Sequence, residues 1–308
     1  MIITDGNSFP SLTGPFITVG VFDGVHLGHR ALLDQLVLKA SQAGRMSVVI
    51  TFDPHPKLVL GGSKNNLAFL STPEEKKELL GKSGIDHLVI IPFTRELASM
   101  EGRQFISEIL VDRMGAGFLL VGYDNHFGKG RDTGFESISR HAARYGLETE
   151  QVKGLSGPDG VISSTTIRNA LLDGRLDVAN SCLGYSYSLT GTVVPGNRLG
   201  NSLGFPTANL KPPLYKLVPA DGVYAVEVNI DEKTYGGMLS IGMNPTVNND
   251  RNKKTVEVHI FDFGGDLYGQ AVTVVFRYRL RDERKFDNLE QLAAQMRLDK
   301  IESLRLLT

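Results

Sequence analysis

Cysteine is nearly missing: Cys182 stands alone among 308 residues, which excludes an intramolecular disulfide framework and suits a reducing compartment. Excess charge is missing too. A formal net charge of −1 gives no global field that would draw the chain to nucleic acid or to a membrane surface. No apolar run approaches the roughly 20 residues that span a bilayer, and the opening MIITDGNSFP lacks a basic segment followed by an apolar core. Repeats and low-complexity segments are absent. The expectation is a soluble, cytoplasmic protein with neither nucleic acid nor membrane among its partners. The 41% hydrophobic content is ample for real cores, and the length corresponds to two domains at roughly 150 residues each.

The most informative stretch runs from Thr18 to Arg30, TVGVFDGVHLGHR. Its apolar start reads as a buried strand, Asp23-Gly24 as a tight turn, and Ala31, Leu32, Leu33, Leu36 and Val37 as a helical stripe. His26 and His29, three apart, flank the helix start and can face the same side of its first turn. The unpaired N–H groups and positive dipole end there make a seat for phosphate. Gly24 and Gly28 let a ligand approach the backbone. No Cys or further His lies near enough in sequence to complete a zinc ligand set.

From that strand onward the chain alternates. Helix 31–43, strand 46–52, a helix starting at Thr72-Pro73 with a capping box to Glu75, strand 87–91, helix 103–114, strand 118–121, helix 135–145 and strand 147–152 follow in order. Solid apolar strands separated by helices imply a parallel, Rossmann-like sheet covered on both faces. Ligands of such sheets sit beyond the carboxyl ends of the strands. There the chain has Phe22-Asp23-Gly24, Asp53-Pro54-His55-Pro56, Pro92-Phe93 and Gly122-Tyr123-Asp124. Gly128-Lys129 imitates part of a Walker A loop, but the spacing to Gly122 is one residue too long and no Ser or Thr follows. Further on, ISSTTIR places Ser163 or Ser164 as a helix cap, with Arg168 emerging from the first turns.

Helical signal fades over 176–183, and the character changes after Gly184. Segments 223–230, 235–241, 255–261 and 271–280 read as strands, with a hairpin turn at 231–233, and helices follow at 289–296 and 300–307. This pattern predicts a small β-barrel with terminal helices over 184–308, distinct from an α/β domain over 1–183. Gly196, Gly200 and Gly204 form a loop able to wrap phosphates. Thr207 and Asn209 follow on extended chain and point the same way, so their oxygens suit Mg²⁺ shared with nucleotide phosphates. In TVEVHIF, Glu257 and His259 alternate against Val256, Val258 and Ile260, so Glu257 projects away from the apolar side.

VGVFDGVHLGH resembles the HxGH signature of the nucleotidyltransferase superfamily, in the form found in bacterial bifunctional riboflavin kinase/FAD synthetases. GYDNHFGKGR is similar to that family's G-x-D-x-x-F-G segment, with Asn125 where relatives commonly carry an aromatic residue. ISSTTIR is similar to its second nucleotidyltransferase signature, and G-x-x-x-G-x-x-x-G-F-P-T-A-N to the signature of riboflavin kinase.

The resemblance covers nearly the whole chain. It implies phosphorylation of riboflavin to FMN by Mg-ATP in the barrel, and adenylylation of FMN to FAD by a second ATP in the N-terminal domain. It further implies Glu257 as base, and His26, His29 and Arg168 as stabilisers of adenylyl transfer. ATP and its phosphates are expected at Phe22, Asp23, Gly24, Gly28, Ser163, Ser164, Thr165, Gly196, Gly200, Gly204, Pro206, Thr207 and Asn209, with metal at Thr207 and Asn209. Flavin is expected at Pro54, His55, Pro56, Asp124, Asn125, Arg281 and Glu283. The alternative is a nucleotidyltransferase acting on another phosphate ester, with a flavin-binding barrel. Riboflavin, FMN and FAD are then substrates or products, and no tightly bound prosthetic group is expected.

Overall fold

The computed structural model describes residues 1–6, 9–61, 67–124, 134–196, 200, 203–243 and 254–308. They form two compact units, Met1–Ser164 and Thr165–Thr308.

The first unit is a parallel six-stranded sheet of β1 (Ile2–Asp5), β2 (Phe16–Val19), β3 (Ser47–Asp53), β4 (His87–Pro92), β5 (Phe118–Val121) and β6 (Glu148–Gln151), ordered β1-β4-β3-β2-β5-β6. Side chains alternate along each strand, so Val48 and Ile50 pack into one apolar layer while Val49 enters the other. Burial on both faces is why these strands read as solid apolar runs. Helix α1 (Leu27–Gln42) lays Leu32, Leu33 and Leu36 on one face.

After the short α2 (Pro56–Leu60), α3 (Pro73–Gly81) begins as its sequence predicts, with Thr72 and Glu75 capping reciprocally. Such a cap contributes about 1 kcal/mol. After α4 (Arg95–Ser99) comes α5 (Gly102–Gln104), which continues as a wider π-helical stretch, Phe105–Arg113. With α6 (Phe135–Ala143) this stretch covers the opposite face. The strand order reverses between β2 and β5, so a crevice opens outside the carboxyl ends of those two strands.

Several features depart from the sequence expectations. Strand β1 lies on the sheet edge with Ile2 and Ile3 exposed, and four residues are too few to show a period. A Gly-Pro-Asp-Gly turn folds β7 (Ser156–Gly157) onto β8 (Gly160–Val161) after β6. The stretch where helical signal fades is a full helix, α8 (Leu176–Leu183), which buries Leu176, Ala179, Cys182 and Leu183 and ends on left-handed Gly184.

The second unit contains α8 and most of α7 (Ser164–Leu172) together with a closed barrel. Its strands are β9 (Ser188–Val194), β10 (Ala208–Lys211), β11 (Gly222–Ile230), β12 (Lys233–Met243), β13 (Lys254–Ile260) and β14 (Ala271–Arg281), closed in the order β10-β13-β12-β11-β14-β9. Ile230 pairs with Lys233 across a two-residue turn in which Asp231 is left-handed. The compact division falls earlier than the sequence boundary at 183/184 because α7 and α8 bond to the barrel. Ala220 N–H donates to the Leu171 carbonyl at 2.9 Å, and the Asn180 amide donates to the Phe276 carbonyl at 3.1 Å. The two expected terminal helices are one, α9 (Leu289–Leu307). Among the described residues no helix is long and apolar enough to cross a membrane.

Candidate active sites

After β2 the chain turns sharply, with positive φ at Phe22, Gly24 and Val25. Left-handed backbone is unfavourable for Phe and Val, and the turn holds because both side chains are fully buried. Asp23 ties the turn down: its Oδ1 accepts from the N–H groups of Leu70 and Ser71 at 2.8 and 3.1 Å. The Ser71 hydroxyl accepts from Gly24 N–H at 3.0 Å, and Ser164 donates to the Asp23 carbonyl at 2.9 Å.

His26 then caps α1, with Nδ1 accepting from His29 N–H at 3.3 Å. The two imidazoles stack at 3.7 Å between centroids. Gly28 makes room for the stack, since a Cβ there would lie 3.2 Å from the His26 ring and 3.4 Å from the Ile162 carbonyl. Because His26 Nδ1 accepts, a neutral His26 ring carries its proton on Nε2. Burial, and then the neighbouring His26, hold the His29 pKa well below the ordinary histidine value. His29 is therefore neutral near pH 7, and the stacked pair is not a pair of cations.

Phe22, His26, Gly28 and His29 line a cavity of about 250 Å³, together with Tyr123 and Asp124 beyond β5 and residues 152–155 and 161–163. Of the residues singled out from the sequence, Phe22, His26, Gly28, His29, Asp124 and Ser163 meet there. Asp23, Gly24 and Ser164 brace the turn instead. Pro54, His55 and Pro56 are not on this wall: His55 caps α2 and stacks on Phe69 at 4.1 Å. Arg168 donates to Thr165 at 3.2 Å within α7. Asn125 lies outside the described residues.

Three residues at or near this site escaped the sequence reading. Lys153 and Gly154 reach the wall ahead of the small hairpin, whose Gly-Pro-Asp-Gly turn was the available signal. Lys76, one turn before Leu80, is buried, and its Nζ donates to the Val21 and Phe52 carbonyls at 3.3 and 3.1 Å and to Thr51 at 3.3 Å. It thereby joins the carboxyl ends of β2 and β3. Burial lowers its pKa, against the opposing pull of Asp53 and Asp23.

In the barrel, β10 lies between β9 and β13, with Asn209 opposite Glu257. The Thr207 hydroxyl donates to Glu257 Oε2 at 3.3 Å. Burial raises the Glu257 pKa, and the bond from Thr207 opposes that rise. A Cβ on Gly196 would collide with the Asn209 amide, and one on Gly200 with the Phe205 carbonyl. Gly204 supplies a positive φ.

A cavity of about 180 Å³ is lined by Gly200, Thr207, Glu257, His259 and Arg281, with Leu203, Met238 and Ser240 beside them and Leu292, Met296 and Asp299 from α9. Arg281 grips Asp299 with Nε at 3.0 Å and Nη2 at 2.7 Å. Glu283 packs where a side chain on residue 242 would stand. Gly196, Gly204, Pro206, Asn209 and Glu283 do not line this cavity. Sequence reading placed a helix over 289–296 but not its role as a wall, which only the Arg281–Asp299 clamp specifies.

Comparison with known proteins agrees across both units. A family model described as FAD synthetase matches residues 9–166, and one described as riboflavin kinase matches residues 183–307. A bifunctional riboflavin kinase/FMN adenylyltransferase of Escherichia coli (strain K12) is 39% identical over 290 residues, covering 94% of this chain and 91% of its own. One from Listeria monocytogenes is 35% identical over 285 residues, covering 92% and 90%. A solved structure described as a macrolide-efflux protein from Streptococcus pneumoniae is 32% identical, with a TM-score of 0.88 and coverage of 98% and 99% of the two chains.

Proposed function

The chain belongs to the family of bifunctional riboflavin kinase/FMN adenylyltransferases, and on that premise we propose how its two cavities divide the two reactions. Residues 184–308 carry phosphoryl transfer. The 5′-hydroxyl of riboflavin attacks the γ-phosphorus of ATP, its proton passes to Glu257, and ADP leaves with FMN remaining. Residues 1–183 carry adenylyl transfer. A phosphate oxygen of FMN attacks the α-phosphorus of a second ATP, pyrophosphate leaves, and FAD forms.

One observation supports the kinase assignment above others: the half-buried Glu257 carboxylate stands on the cavity wall, 3.3 Å from Thr207. A raised pKa strengthens it as a proton acceptor. Among the described residues no three His, Cys, Asp or Glu side chains gather into a metal site. The Thr207 hydroxyl and the Asn209 amide oxygen, the latter on a side chain that Gly196 admits by having no Cβ, are hard donors that fit Mg²⁺ arriving with ATP. That ion would neutralise charge on the phosphate oxygens.

For adenylyl transfer, His26, through its Nε2–H, and His29 donate to the triphosphate, and the likeness of ISSTTIR to the second nucleotidyltransferase signature supports giving Arg168 the charge that develops on pyrophosphate. Flavin contacts are assigned to Asp124 and Asn125, to Pro54, His55 and Pro56, and in the barrel to Arg281 and Glu283. The lone buried Cys182 suits a reducing cytoplasm. Chromatography of products from riboflavin and Mg-ATP tests the reading. FMN and FAD with ADP and pyrophosphate are expected. Absence of FMN, or FMN that is never converted, removes the corresponding half.

A further inference from the structure

His259 stands two residues beyond Glu257 on β13, so both side chains leave the same face of the strand. Its ring is nearly buried and bordered edge-on by Phe205 and Phe261, at 5.4 and 5.7 Å between centroids. Nδ1 lies 2.8 Å from the Pro206 carbonyl oxygen. A carbonyl can only accept, so Nδ1 carries the proton. Among the described residues Nε2 is buried with no partner, so the ring's one hydrogen bond there is the one to Pro206. The bond lands on the residue before Thr207, whose hydroxyl is bonded to Glu257. Strand β13 therefore holds this segment at consecutive residues, 206 by a histidine and 207 by a carboxylate. Backbone pairing of the two strands begins only at Ala208, opposite Val258.

We propose that His259 is a positioning residue for phosphoryl transfer, donating from Nδ1 to the Pro206 carbonyl so that the Thr207 hydroxyl is held at the nucleotide and against Glu257. The inference rests on the kinase reading above. It assigns a definite nitrogen of a definite ring to a definite carbonyl, and the two amide substitutions separate the nitrogens. Asparagine can present an N–H where Nδ1 stands; glutamine presents one where Nε2 stands.

The test uses the full chain. His259→Gln should raise KM for Mg-ATP in riboflavin phosphorylation and lower kcat/KM by about 10–100-fold, the range for losing a residue that orients a ligand-holding group. His259→Asn should recover most of that loss. FAD formation from supplied FMN serves as the folding control and should stay at the wild-type rate in both variants. Equal activity of the two variants, or a loss in kcat with KM unchanged, overturns the proposal, because a merely unfolded fraction lowers kcat alone. Independently of turnover, the ¹⁵N chemical shifts of the His259 ring should mark Nδ1 as the protonated nitrogen, and a bare Nδ1 refutes the assignment. A wild-type chain that makes no FMN would instead overturn the kinase reading, while the ring shifts would still judge the hydrogen bond.

Discussion

The two cavities are walled by different chemistry. The first is built at the N-terminus of a helix that follows a buried parallel strand, and its wall carries stacked imidazoles, with His29 held neutral by burial. The second is built on a barrel edge and presents a carboxylate, Glu257, whose pKa burial raises. Attack by a sugar hydroxyl releases a proton that needs an acceptor. Attack by an ionised FMN phosphate releases none, so donors and dipoles suffice there. On the division of reactions proposed above, the difference between the walls matches the difference between the nucleophiles.

That contrast is most sharply broken at Glu257. Glu257→Gln should lower FMN formation by about 10²–10⁴-fold, the usual share of a general base, and leave FAD formation from FMN intact. Loss of both in a folded chain would end the division of roles. His29→Asn should do the converse, cutting FAD formation by about 10²–10³-fold, as expected for one donor to a developing charge, with riboflavin phosphorylation unchanged.

Arg281→Met leaves the buried Asp299 carboxylate, among the described residues, with Gln295 alone as a partner. It should destabilise the barrel by about 3 kcal/mol, seen as a lowered melting temperature. A raised KM for riboflavin without that loss would make Arg281 a flavin contact instead of a clamp. Gly28→Ala pushes against the His26 ring and should slow adenylyl transfer about tenfold, within the ~10²-fold that a 1 Å misplacement can cost.

The pH profiles carry the smallest effect. Glu257 must be ionised to act, and its pKa is raised, so kinase activity should fade on acidification at a pH above the ordinary glutamate value. Since His29 is already neutral, FAD formation should show no loss as pH rises through about 6.5, the ordinary histidine pKa.

Much of this was legible in advance, for local reasons. The capping box at Thr72 and Glu75 involves residues three apart. The hairpin at Asp231 is likewise settled by neighbours in the chain, whereas the turn read at Asp23-Gly24 is held in place by Leu70 and Ser71. Helix α8 was illegible because its stripe of Leu176, Ala179, Cys182 and Leu183 contains only two strongly apolar leucines, and tertiary burial overrides weak propensity.

Read by itself, the chain of residues determined the alternation of strands and helices in the first half, the strand-rich second half and so the two architectures, because periodicity, caps and turns are short-range. Only the tertiary structure decided that Asp23 braces residues 70–71 instead of facing the cavity, that Lys76 joins β2 to β3, that Arg281 holds α9 through Asp299, and that His259 bonds to Pro206. Each of those contacts joins groups between 18 and 55 residues apart. A pairing at such separation exists only once the intervening chain has packed, and no local pattern specifies which burial will bring it about.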